Sequence, residues 1–243
     1  MVNSWSGKQI KFQLVIEIKE VSKSYGQLTV VDQVSLTIPE GEIMAIVGPS
    51  GAGKTSLLQI IGTLDRPDSG KVLFDGVDVL SLNDRKMSAF RNSNIGFVFQ
   101  FHQLLPEFSA LENVALPALI GGMSRKEAFR RATGLLDEMG LAPRLNHKPA
   151  QMSGGERQRT AIARAIMNSP RIVLADEPTG SLDSRNRDEI QAIMLSLRND
   201  RKQTIVMVTH DPDMAAIADR TVTMADGKIT FDTASAMAPQ TEF

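Results

Sequence analysis

Four continuous apolar runs punctuate the chain: Ile43 to Val47, Ile95 to Phe99, Ile172 to Ala175 and Thr204 to Val208. Apolar runs this short, without polar alternation, suit strands covered on both faces in a mainly parallel sheet. Nearer the N-terminus, Val34-Ser35-Leu36-Thr37-Ile38 alternates apolar with polar and stops at Pro39-Glu40-Gly41, which predicts an antiparallel sheet. Asp75-Gly76 and Asp226-Gly227 are hairpin-turn pairs. Between the runs the period changes. Ser124-Arg125-Lys126-Glu127 has the form of a capping box, followed by Phe129, Ala132, Leu135, Leu136 and Met139 at helical spacing, with Gly140 as the stop. After Ser184, Ile190, Ile193, Met194 and Leu197 mark another helix face. The pattern predicts an α/β core, an antiparallel sheet to one side, and a helical insertion over about 86–165.

Length and composition narrow the class. With 243 residues, no internal repeat and no low-complexity linker, we expect a single domain over 14–232 and a small, polar, flexible tail over 233–243. Twenty-seven basic against 28 acidic residues supply no field for nucleic acid or anionic lipid. The absence of Cys excludes a disulfide framework and thiol chemistry. The segment Phe12 to Ile18 is too short for a signal core and is broken by Glu17, and no run approaches the ~18 apolar residues of a membrane span. The chain is therefore expected in the cytoplasm, without inserting into a membrane itself, unless a partner holds it there.

Gly48-Pro49-Ser50-Gly51-Ala52-Gly53-Lys54-Thr55 matches the phosphate-loop pattern between an apolar run and the helix-forming Ser56-Leu57-Leu58-Gln59-Ile60. Glycines let successive amides turn towards phosphate oxygens, and the helix N-terminus adds partial positive charge. Lys54 is the candidate partner of the β and γ phosphates of ATP, and the Thr55 hydroxyl a candidate Mg²⁺ ligand. Asp176 and Glu177 stand just past a buried run, at the strand edge where open α/β sheets bind ligands. Asp176 suits Mg²⁺ and Glu177 suits the general base that activates water. His210 and Gln100 follow other apolar runs onto that edge, His210 as a phosphate contact and Gln100 as a contact to Mg²⁺ or water; a structural role is the alternative for both. His102 and His147 lack metal-ligand spacing and stay structural.

About a hundred residues beyond the phosphate loop, Ser153-Gly154-Gly155-Glu156 opens a helix carrying Ala and Ile on one face. An N-cap accounts for Ser153 but not for paired glycines, which instead suit a second anion site. Arg157, Arg159 and Arg164 have no aromatic partners for base stacking, so they suit a solvated or subunit-facing helix. Tyr25, the single tyrosine, is open between an adenine stack and edge-strand packing. Phe101, Leu104, Leu105 and Phe108 form a patch in a segment too irregular for a core helix, suited to an amphipathic helix of a partner, with a buried turn as the alternative.

Taken in order, these residues resemble the ATP-binding-cassette (ABC) ATPases over nearly the whole chain: Walker A at Gly48 to Thr55, the glutamine loop at Gln100, the signature at Ser153 to Glu156, Walker B through Asp176-Glu177, the D-loop Ser181-Leu182-Asp183 and the switch His210. The resemblance implies a phosphate-loop NTPase fold with a RecA-like, mainly parallel core, an N-terminal antiparallel subdomain and an inserted helical subdomain. It further implies a head-to-tail dimer that sandwiches ATP, with Ser153, Gly154, Gly155, Glu156 and Asp183 serving the nucleotide of the other copy, and Tyr25 stacked on adenine. It implies membrane permease subunits as partners, docked through Phe101 to Phe108 at the cytoplasmic face of the inner membrane. The signature departs from the commonest form at Met152 and Glu156, where Leu and Gln are usual. Glu156 is similar to the branch that includes the lipoprotein-releasing, macrolide-exporting and cell-division ATPases. Within that branch Phe99 to Pro106 and Ala110 to Val114 look most like the lipoprotein-releasing member. Drug or peptide export and ATP-driven signalling to cell-wall enzymes are the rival tasks; a soluble DNA-repair or translation role fits neither the single cassette nor the lack of long insertions.

Overall fold

The structure, a computed structural model, describes residues 14–180 and 182–236. The chain opens with β1 (Leu14–Tyr25) and β2 (Leu28–Pro39), which pair antiparallel. Val34, Leu36 and Ile38 of β2 are buried and their neighbours are not, as the alternation predicts. Next come β3 (Ile43–Val47), α1 (Lys54–Ile61), β4 (Ser69–Phe74) and β5 (Val77–Asp78). Strands β4 and β5 complete a four-stranded antiparallel sheet in the order β2-β1-β4-β5. Asp75 and Gly76, which join β4 to β5, both have positive φ, the conformation a two-residue type I′ turn requires.

The second half supplies α2 (Asp84–Asn94), β6 (Ile95–Val98), α3 (Ala110–Ile120), α4 (Arg125–Glu138), α5 (Gly154–Ala165), β7 (Ile172–Asp176), α6 (Ser184–Arg201), β8 (Thr204–Val208), α7 (Pro212–Ala216), β9 (Arg220–Ala225), β10 (Lys228–Asp232) and α8 (Thr233–Ala236). A six-stranded sheet runs β10-β9-β3-β8-β7-β6, parallel throughout except for the β9–β10 hairpin. Its central strands are buried on both faces, which explains their unbroken apolar sequences. Ile43, Ala45, Val173, Ala175, Ile205 and Met207 join the core shared with the later helices. Met44, Ile46, Ile172, Leu174, Val206 and Val208, their alternating neighbours, face the core built with α1 and the antiparallel sheet. The carboxyl ends of β3, β6, β7 and β8 therefore lie along one edge, and each delivers a candidate residue there.

Three expectations need correction. The interval 86–165 is not wholly helical insertion: β6 pairs with β7 inside the main sheet, and Phe90 of α2 packs edge-on against Phe74 of β4. A four-residue strand between helical patterns is too short to set a boundary, and the helices that pack on one another are α3, α4 and α5. Only half of the box at Ser124 forms. Its hydroxyl accepts from the Glu127 amide, whereas the Glu127 carboxylate pairs with Arg130 one turn later. Finally, the expected tail begins with the turn α8, anchored by the Thr233 hydroxyl, which accepts from the Thr221 amide. Residues 237–243 and the D-loop Ser181 lie outside the described residues.

Candidate nucleotide-binding and hydrolysis site

The phosphate loop is pressed between two strands, and that contact explains its glycines better than flexibility does. A Cβ on Gly48, at φ 144°, would lie 2.0 Å from the Met224 carbonyl oxygen of β9. One on Gly53, at φ 92°, would lie 1.9 Å from the Val30 carbonyl oxygen of β2. No side chain fits either position. Gly53 also caps α1, so the helix opens directly beneath the loop. The buried Lys54 curls back, and its Nζ donates to the carbonyls of Gly48 (2.8 Å) and Pro49 (2.9 Å).

The Thr55 hydroxyl donates to Asp176 Oδ1 at 3.0 Å, tying α1 to the end of β7. Burial pushes the Asp176 carboxyl above the usual carboxylate range; the Thr55 hydrogen bond opposes this, the Glu177 charge adds to it, and Lys54 draws it back. A cation placed here would relieve that cost. One hydroxyl and one carboxylate are hard oxygen donors of the kind Mg²⁺ takes when phosphates and water supply the rest of its shell. Among the described residues there is no cluster of three or more His, Asp or Glu that could hold a metal ion alone.

Glu177 turns off the strand with φ 47°, a left-handed conformation that costs energy in a non-glycine residue. Its amide donates to the Val208 carbonyl at 2.9 Å, and the Thr209 amide donates to the Ile46 carbonyl at 3.2 Å, so the ends of β7, β8 and β3 are laced together. His210 emerges from that lacing. Its Nδ1 lies 2.8 Å from Glu177 Oε1, and its amide donates to Oε2 at 3.3 Å. The Glu177 side chain is 14% exposed and that of His210 is 69% exposed, so the carboxylate is sheltered while the imidazole reaches out. Gln100 belongs here too: a Cβ on Gly180 would lie 3.4 Å from its Nε2 and from Glu177 Cβ.

One cavity of about 510 Å³ collects Gly48, Ser50 to Ser56, Gln100, Asp176, Glu177 and His210, with Leu28 and Val30 at its apolar side. The Pro49 carbonyl accepts from Lys54 and from the Ala52 amide. Tyr25 is half exposed outside this lining, and its hydroxyl donates to Asp65 at 2.6 Å. Lys23 donates to the same Asp65 and stands 5.2 Å from the Tyr25 ring centroid, so the ring is held on two sides. Asp65, Lys23, Leu28 and Val30 escaped the sequence reading because nothing in a run of letters pairs residue 65 with residue 25.

Ser153 to Glu156 are not part of this cavity. Ser153 caps α5 by accepting from the Glu156 amide at 3.2 Å, and Glu156 Oε2 accepts from the Ser153 amide at 2.7 Å, a complete capping box. The N-cap reading of Ser153 is therefore correct as far as it goes, and Gly155 has a packing reason as well: its Cβ would lie 1.8 Å from Asn186 Oδ1. Asp183 caps α6 by accepting from the Asn186 amide at 2.9 Å and also accepts from the Asn186 side chain. The signature helix and the segment after Walker B are thus built against each other. A second link runs from Thr179 to the buried Asp211, which follows the switch histidine.

After Gln100 the backbone takes positive φ at His102 and Gln103, and Arg164 of α5 donates to both carbonyls at 2.8 and 2.7 Å. Fully buried Asn113 then fastens the loop: it accepts from the Leu105 amide and donates to the carbonyls of Leu105, Phe108 and Ser109. The patch is not a buried turn, since Phe101 is 76% exposed and Leu105 and Phe108 are each 38% exposed. Beside it opens a groove of about 390 Å³, lined in part by Phe99, Gln103, Pro117, Ile120 and Arg164.

Fold and site together define a phosphate-loop ATPase cassette, with Glu177 and His210 on the loop's own sheet edge. The chain belongs to the ABC transporter family, whose model matches residues 31–180. It is 56% identical over 218 residues to the lipoprotein-releasing system ATP-binding protein LolD of Bacteroides thetaiotaomicron, covering 90% of this chain and all of the relative. Identity to the LolD protein of Geobacter metallireducens is 50% over 222 residues, covering 90% of this chain and 99% of the relative. Among solved structures, a dimeric ATP-binding cassette in a post-hydrolysis state with ADP and Pi superposes with a TM-score of 0.83 at 40% identity, covering 89% of this chain and 97% of that one. The expected cassette fold, with its mainly parallel core, N-terminal antiparallel sheet and helical group, is the fold observed.

Proposed function

We propose that this chain is the ATP-hydrolysing subunit of an ABC complex, in which two copies pair head to tail and drive a separately encoded membrane subunit that releases lipoproteins from the inner membrane. The observation that carries the reading is the meeting of Lys54, Thr55, Asp176, Glu177 and His210 in one cavity, with Ser153 to Glu156 outside it. A second anion site that does not serve the chain's own phosphate loop is available to the nucleotide of another copy. The dimeric cassette with ADP and Pi supports this arrangement, and the LolD relatives support the task. No helix among the described residues is long and apolar enough to cross a membrane.

In this mechanism ATP settles with adenine beside Tyr25 and phosphates on the loop amides. The Lys54 ammonium exchanges the carbonyls of Gly48 and Pro49 for β and γ phosphate oxygens. Bound Mg²⁺ supplies charge neutralisation on the phosphates, and Thr55, Asp176 and Gln100 are the residues to hold it. Glu177 takes the proton of the attacking water, and His210, fixed against Glu177, is available to the γ phosphate. Ser153, Gly154 and Gly155 of the other copy close over that phosphate, with Glu156 and Asp183 at the same contact. Closure pulls on Gln100 and hence on the Phe101 to Phe108 segment, which carries movement to the membrane subunit.

Two measurements test this. Glu177→Gln with MgATP should elute as a dimer on size exclusion, and a strictly monomeric protein at saturating nucleotide would sink the sandwich. Affinity purification of the chain from membranes together with its partner, followed by reconstitution, should yield a complex whose ATPase activity rises with a lipoprotein. Stimulation by a drug or peptide instead would overturn the lipoprotein assignment while leaving the ATPase reading intact.

A further inference from the structure

Glu156 poses an electrostatic problem for the signature site. Its carboxylate accepts from the Ser153 amide at 2.7 Å, so it sits at the same helix end that is to receive a γ phosphate. Two anions at one helix terminus repel, and in a closed interface little water remains to screen them. The answer lies outside the helix. Arg144 Nε donates to Glu156 Oε1 at 2.7 Å, from the turn that follows α4. Both carboxylate oxygens are then engaged, one by the cap and one by the guanidinium, and the Arg144 side chain remains 42% exposed. His147 Nε2, 3.4 Å from Arg144 Nη1, braces the guanidinium from the same turn. The Arg144 hydrogen bond and the Ser153 amide hold the Glu156 carboxyl below its usual range, so the charge is present at neutral pH and must be offset.

We infer that Arg144 is a positioning residue of the signature site: it locks Glu156 onto the cap of α5 and cancels its charge, so that the nucleotide of the other copy meets a neutral helix end. The inference rests on the head-to-tail reading. It also accounts for how this chain carries Glu where the commoner signature has Gln, because the acid is admitted together with its cation.

The test uses the full chain in a Glu177→Gln background, where ATP-driven dimers accumulate. Adding Arg144→Ala should raise the ATP concentration needed for dimerisation by about tenfold, because like charges then face each other across the contact. ATP binding to the monomer should not change, since the chain's own phosphate loop is untouched. Arg144→Lys should dimerise almost as the parent does. Restoring neutrality with Glu156→Gln in the Arg144→Ala protein should bring the ATP requirement back, and moderate salt should do so in part. Dimerisation of the Arg144→Ala protein at the parent's ATP concentration overturns the inference. So does failure of Glu156→Gln to rescue a variant that melts at the parent's temperature, which would make the pair merely structural. If the Glu177→Gln parent itself stays monomeric, the sandwich reading falls and this inference falls with it.

Discussion

The imidazole of His210 and the carboxylate of Glu177 meet at 2.8 Å, and the His210 backbone amide holds the other carboxylate oxygen. One residue thus grips both oxygens of the candidate base, from a strand whose neighbour carries that base. An arrangement of this kind fixes the Glu177 carboxylate, and the imidazole that holds it is largely exposed at the cavity.

His210→Ala should therefore lower kcat by up to ~10² to 10⁴, the range for loss of the proton-transfer group that it positions. Combined with Glu177→Gln, it should add almost nothing, because residues acting as a unit are not additive. Steady-state hydrolysis of the two single variants and the double variant checks this. Multiplying losses would mean that the two side chains act independently.

Asp176→Asn keeps the shape of the site and removes the charge that burial already strains. The Mg²⁺ concentration for half-maximal hydrolysis should rise by about 10- to 100-fold, the cost typical of weakening a metal's protein surroundings. Nucleotide binding in EDTA should be unaffected. A magnesium titration at fixed ATP reads the first, and equilibrium dialysis the second. An unchanged magnesium requirement would remove Asp176 from the metal site.

Tyr25→Ala should weaken ATP binding by roughly two- to tenfold, matching about 0.5 to 1.5 kcal/mol for an aromatic stack. The same change should not affect binding of inorganic triphosphate, which has no base to stack. Asp65 and Lys23 hold the ring, and although burial pushes the Asp65 carboxyl up, the hydrogen bonds from Tyr25 and Lys23 leave it below its usual range. Calorimetric titration decides. Equal ATP affinity in a folded variant would return Tyr25 to edge-strand packing.

Particular elements explain why much of this was legible. Strands buried on both faces have to be apolar throughout, so Ile43 to Val47, Ile172 to Ala175 and Thr204 to Val208 stood out. Parallel topology then puts their carboxyl ends together, so Gly48, Asp176, Glu177 and His210 converge without further assumption. Where side chains choose partners the letters are silent. Glu127 prefers Arg130 to the cap, whereas Glu156 serves a cap and Arg144 together, yet both belong to similar Ser-x-x-Glu patterns. The role of Asn113 was equally hidden, since its four hydrogen bonds go to backbone groups of a loop with no periodicity.

Asn113→Ala tests that fastening. It strips one acceptor and a set of donations from a buried site, leaving the Leu105 amide and nearby carbonyls unpaired at about 1 to 3 kcal/mol for each group that water cannot reach. We expect a loss of about 2 to 4 kcal/mol, read as a lower urea midpoint with an unchanged slope. A midpoint within experimental scatter of the parent would mean that the loop finds other partners or water.

Because Asn113 secures the backbone of the loop, the apolar side chains it carries are free to meet a partner. Phe101 and Leu105 project from a segment whose other end is Gln100, in the nucleotide cavity. Leu105→Asp alters neither the Asn113 hydrogen bonds, which run to backbone, nor the phosphate loop. Basal hydrolysis by the isolated subunit and ATP binding should stay within about twofold, as for surface changes away from the chemistry. Co-purification with the membrane subunit should be lost, because an unpaired carboxylate in an apolar contact costs several kcal/mol. Phe101→Asp, at the more exposed position, should do the same. A Leu105→Asp protein that still binds its membrane partner with full ATPase stimulation would move the docking surface elsewhere, and the neighbouring groove at Pro117 and Ile120 would be the next place to mutate.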